Sequence, residues 1–101
     1  MDVALLVLYF MIFDWDEQKN ARNTRERNMP FAYAVRVFDD PQHVTAIDDR
    51  KDYGEIRRIT LGIVNNRLLS VVYTQRGGVT RIISARKANA RERRTYSNVY
   101  S

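Results

Sequence analysis

The stretch from Gly54 to Lys87, GEIRRITLGIVNNRLLSVVYTQRGGVTRIISARK, constrains this chain more than any other. Three runs within it, Ile59–Val64, Leu68–Thr74 and Val79–Ala85, are rich in β-branched and aromatic residues that fit a pleated surface. Asn65-Asn66 separates the first two runs and Gly77-Gly78 the second and third. Both pairs tolerate positive φ, the requirement of a tight hairpin turn. The stretch therefore predicts three consecutive antiparallel strands, with arginines crowded at their ends.

Charge divides the chain in two. From Glu55 onward there are ten Lys and Arg against two acids, Glu55 and Glu92, while residues 1–54 carry seven Lys and Arg against ten acids. The overall +5 is thus about −3 in the first half and +8 in the second. A sheet rimmed with arginine and followed by a basic segment suits a phosphate backbone. A surface kept soluble by charge gives the same count. A chain of 101 residues makes one domain with one core. The absence of cysteine excludes disulfides, a thiolate nucleophile and Cys-type zinc sites, and fits a reducing, cytoplasmic setting.

Upstream, Val3–Phe13 is an apolar run too short to span a membrane and lacking the flanks of a signal peptide. It predicts a buried strand, with Met11–Trp15 the part patterned for one. Asp16 predicts a helix cap, and the helix to Arg27 is almost wholly polar. Asn28-Met29-Pro30 breaks the chain. Phe31, Ala34, Val35 and Phe38 then recur at helical spacing, giving a second helix ended by Asp39-Asp40-Pro41. Gln42–Tyr53 has no period and reads as a surface loop. Its acids with Asp39 and Asp40 match no metal-ligand spacing, and His43 has no evident partner. Asn89 and Glu92 are spaced as a capping box for a short basic helix to about Tyr96, with a frayed end beyond it. The order β-α-α-β-β-β-α is an α+β fold, an antiparallel sheet with two N-terminal helices and a short basic C-terminal helix.

Ile12–Glu17 with Lys19 and Asn23, then Phe31, Ala34 and Val37–Pro41, resemble the opening of the BrnT toxin family. Gly54-Glu55, Arg57, Leu61-Gly62, Val72–Thr74, Arg76-Gly77, the run RIISARKA at 81–88 and RERRTY at 91–96 resemble its second half. The resemblance covers about Met11 to Tyr96. It places residues 1–10 as an N-terminal extension and 11–101 as the toxin domain. It implies a RelE-like fold and a bacterial ribonuclease toxin that cleaves RNA without a metal or cofactor and so inhibits translation. It also implies a ribbon-helix-helix antitoxin of the BrnA kind as partner, with operator DNA reached only through that antitoxin and no membrane association.

In such chemistry the adjacent 2′-hydroxyl is the nucleophile, and the protein positions the backbone, moves protons and stabilises the phosphorane. The guanidinium fork does the last of these well. Arg57 and Arg81 are the first candidates, with Glu55 as proton acceptor or arginine-orienting group and Arg27 beside them. Arg76, Arg86, Lys19 and Tyr73 are candidates for RNA contact, Tyr73 by stacking a base or by packing in the core. Where the family typically has Lys-His-Gly, this chain has Glu26-Arg27-Asn28. Arginine cannot release a proton near neutrality. The alternative is therefore a diverged, non-cleaving module that binds an antitoxin or nucleic acid.

Overall fold

In the computed structural model, which describes residues 3–8 and 10–99, the sequence forms β1 (Val3–Leu8), β2 (Met11–Asp16), α1 (Glu17–Arg27), α2 (Phe31–Ala34), a 3-10 turn (Val35–Asp39), β3 (Val44–Ile47), β4 (Arg57–Val64), β5 (Arg67–Arg76), β6 (Val79–Lys87) and α3 (Ala90–Val99). One six-stranded sheet runs in the order β1-β2-β6-β5-β4-β3. The α+β class and the order of elements are those expected.

The β4–β5–β6 meander is as predicted, but its strands are longer. Arg57, Arg67, Arg76, Arg86 and Lys87 lie inside them. Asn65 and Asn66, and likewise Gly77 and Gly78, adopt positive φ at the two-residue turns. The sheet is mixed rather than antiparallel throughout, because β2 pairs with β6 in parallel. The apolar run divides at Phe10, where φ is 61°, into an antiparallel hairpin of β1 and β2. β1 is a sheet edge that buries little: Val3, Leu5 and Val7 point outward, while Ala4, Leu6 and Leu8 pack partly on the core. Part of the segment read as a loop is a strand. Val44–Ile47 pairs with β4, and the Thr45 and Thr60 hydroxyls bond at 2.6 Å. Four residues are too few to show a period.

Helices α1 and α2 and the 3-10 turn cover one face of the sheet over a core of Phe13, Trp15, Met29, Phe31, Val37, Leu69, Val71, Tyr73 and Ile82. After one α-turn the second helix tightens. At three residues per turn Phe31, Ala34 and Val37 align, so Val37 is fully buried where helical spacing would have favoured Phe38. Gly62 admits this turn onto β4: a Cβ there would stand 2.7 Å from the Val37 carbonyl oxygen.

The polar helix α1 is secured by amides instead of apolar surface. Asp16 caps it by accepting from Gln18 N, and Asn20 Oδ1 accepts from Phe31 N. Asn23, its one buried residue, donates to the carbonyls of Met29 at 2.7 Å and Ala85 at 2.9 Å. Asn28 takes the left-handed C-cap position, φ 52°, which asparagine adopts more readily than most residues other than glycine. The opposite face of the sheet is partly covered by α3. Asn89 and Glu92 form the expected reciprocal capping box. Ser97–Val99 remain helical, and the expectation of fraying otherwise falls on Tyr100 and Ser101, outside the described residues.

Candidate functional site

Because the predicted arginines lie inside strands, register fixes the face each one shares. Arg57 on β4 stands opposite Thr74 on β5, Thr74 opposite Arg81 on β6, and Arg81 opposite Asp14 on β2. Residues opposite one another in a sheet project to one side, so these four form a row on the face away from α1. Arg76 lies two residues along β5 from Thr74 and joins the same face. Strand spacing puts Arg57 and Arg81 about 10 Å apart. That distance suits two guanidinium groups addressing neighbouring parts of one backbone.

Each arginine here has a carboxylate partner. Glu55 accepts from Arg57 Nε with one oxygen and from Arg76 Nη2 with the other, both at 3.1 Å. The Arg76 hydrogen bond above all, with that of Arg57, holds the Glu55 carboxyl below its ordinary pKa against a desolvation penalty. Arg81 Nη1 lies 3.3 Å from Asp14 Oδ2. The Arg57 guanidinium also stacks on the Tyr53 ring, 4.2 Å from its centroid.

Tyr53 is set in turn by Asp48. That carboxylate accepts from Arg50 at 2.7 and 2.8 Å and from the Tyr53 hydroxyl at 3.1 Å, while its backbone N–H donates to Arg57 O. Nothing in the aperiodic loop signalled Tyr53. Asp14 also enters the site without having been assigned a role. A lone acid between Phe13 and Trp15 in an alternating strand was the signal available.

The other candidates lie elsewhere. Lys19 and Arg27 line a cleft between α1 and β6 with Arg22, Asn23, Glu26, Ile83 and Ser84, and Arg27 Nη1 reaches the Ala85 carbonyl at 3.4 Å. Arg86 makes a bidentate pair with Glu92, at 2.6 and 3.0 Å, and so docks α3 on the sheet. Burial opposes ionisation of Glu92, but hydrogen bonds from Arg86, Asn89 N and Ser70 outweigh it and lower its pKa. Tyr73 is in the core, 6 % exposed, with its ring 5.2 Å from that of Phe38. His43 bonds through Nδ1 to Asp40 O and packs on Phe38. Among the described residues no three metal-ligating side chains gather, and no helix is long and apolar enough to cross a membrane.

A search among curated proteins finds no match to the chain. The profile of one protein family, described as the ribonuclease toxin, BrnT, of type II toxin-antitoxin systems, matches residues 15–92. That span runs from the end of β2 through the whole meander to the capping box of α3. The chain belongs to the BrnT family of ribonuclease toxins.

Proposed function

We propose that this chain is an endoribonuclease toxin that cleaves RNA without a metal, so inhibiting translation, and that a ribbon-helix-helix antitoxin of the BrnA kind neutralises it. The row of guanidinium groups on the face of the sheet away from α1 carries this reading. The 2′-hydroxyl attacks the adjacent phosphorus, and Arg57 and Arg81 donate to the non-bridging oxygens as charge builds on them. Glu55 orients Arg57 and Arg76, since each of its oxygens is engaged by one of them. Flanking nucleotides follow the second cationic surface, where Lys19, Arg22 and Arg27 line the α1 cleft.

The test is cleavage of a single-stranded RNA by the purified chain in excess chelator, with binding measured across a salt series. Single-strand binding loses about 0.7 in log K per log salt for each neutralised phosphate. Alanine at Arg57, Arg76 or Arg81 should therefore flatten the slope by about 0.7. Unchanged slopes for all three variants would assign these residues to the fold or to the antitoxin. A second reading, binding without cleavage, is favoured by one observation: Arg57, Arg76 and Arg81 are each already paired with a carboxylate. Binding that persists with no cleavage products would establish that reading instead.

A further inference from the structure

Two carboxylates pair with the row of arginines, and they differ in a way the sequence does not reveal. Glu55 has no oxygen to spare: Oε1 accepts from Arg76 and Oε2 from Arg57. Asp14 is nearly the reverse. Its Oδ2 has a single 3.3 Å contact with Arg81, and its Oδ1 is the one buried side-chain polar atom among the described residues without a hydrogen-bond partner. Native structures pair nearly all such atoms, so an exception needs a cause.

The surroundings of Asp14 are sparse on every side. On β1 its register partner is the apolar Leu5, and no residue from Val3 to Leu8 titrates. On β6 it faces Arg81. Along its own strand Asp16 is occupied in accepting from Gln18 N. Arg81 is thus the one charged group set against it, and Arg81 is also the neighbour a substrate phosphate would draw away.

We propose that Asp14 is the proton acceptor of the cleavage reaction, an assignment that rests on the ribonuclease reading above. When RNA docks, the Arg81 guanidinium turns from Asp14 to the scissile phosphate, and Oδ2, at the exposed side of the carboxylate, is left facing the ribose. The O2′–H bond breaks with its proton passing to Asp14, and the O2′–P bond forms. The P–O5′ bond breaks, and the leaving oxygen keeps the electron pair and takes a proton from water. The hydroxide so produced removes the proton from Asp14 and restores the carboxylate. The products are a 2′,3′-cyclic phosphate and a 5′-hydroxyl. The exchange of Arg81 from acid to phosphate couples substrate binding to release of the base, so the carboxylate is freed only when a phosphate is present.

The test compares the full chain with its Asp14→Asn and Glu55→Gln variants on one RNA, together with the same RNA carrying a single 2′-deoxy sugar at the cleaved position. Asp14→Asn should lower kcat about 10²–10⁴-fold, the usual range for lost general-base help. Its RNA affinity should hold or rise, since a negative charge beside the phosphate is removed, and its Tm should stay close to that of the parent. The native kcat profile should fall on the acid side, Glu55→Gln should keep that limb, and Asp14→Glu should recover part of the rate. Cleavage by Asp14→Asn within threefold of the native rate would overturn the assignment and leave the ribonuclease reading standing. A native profile with no acid limb would also overturn it, even if Asp14→Asn failed to fold. If the native chain cuts nothing, the ribonuclease reading fails and this assignment falls with it.

Discussion

Asn23 shows how a single side chain can replace a hydrophobic face. Its amide ties α1 to the Met29 carbonyl in the following loop and to Ala85 on β6, while the rest of the helix offers almost no apolar surface. Removing it takes the Asn23 donor from the Met29 carbonyl and leaves Ala85 O with the longer Arg27 contact, at a cost of about 1–3 kcal/mol. Asn23→Ala should therefore lower Tm by roughly 5–20 °C, given about 4–8 °C per kcal/mol in a domain of this size. Asn23→Asp should be no better, since a carboxylate cannot donate to either carbonyl. Thermal melts of the three proteins decide the matter; an alanine variant melting within about 2 °C of the parent would leave α1 secured by something else.

At the scale of elements, the connection between β3 and β4 behaves as a brace. Asp48 gathers Arg50, Tyr53 and the backbone of Arg57, and so supports the ring on which the Arg57 guanidinium rests. The hydrogen bond from Arg50 lowers the Asp48 carboxyl from 3.8 to about 2. A depressed carboxylate stabilises the fold above its unfolded pKa and ceases to do so as pH falls through the folded one. Native protein should thus melt above Asp48→Asn by a constant margin near neutrality, and that margin should shrink between about pH 4 and pH 2. Melts of both proteins from pH 7 downward measure it, and a margin indifferent to pH would show that the charge contributes nothing.

This brace was not visible in the sequence, because its partners sit in a segment with neither period nor turn signature. The meander was legible because β-branched runs and the Asn-Asn and Gly-Gly pairs agree. The caps at Asp16 and Asn89 were legible because capping depends on near neighbours. Pairing of β2 with β6 in parallel joins distant segments, so no local pattern could announce it. For the site, the guanidinium groups could be named from composition, but which carboxylate each one meets depends on register.

For the molecule as a whole, the first strand forms one edge of the sheet. We propose that β1 is an addition to the domain, since the family match begins at residue 15 and β1 adds only an outer edge. Leu6 and Leu8 are partly buried, so their loss should cost about 2–3 kcal/mol in total, from 1.5–3 kcal/mol for each fully buried side chain. A chain of residues 11–101 should still melt cooperatively, roughly 10–20 °C lower. Loss of a cooperative transition would instead make β1 integral to the core.

The seam between β2 and β6 has a different consequence, in the order of synthesis. The β4–β5 and β5–β6 hairpins can form from neighbours as they leave the ribosome. β2 can pair with β1 at once, but its inner edge must wait until Val79–Ile82 has emerged. Contacts between distant segments are also the slow ones to form. The row from Arg57 to Asp14 crosses that seam and is completed only when β6 takes its place, so a nascent toxin cannot assemble this face until Val79–Lys87 has left the ribosome.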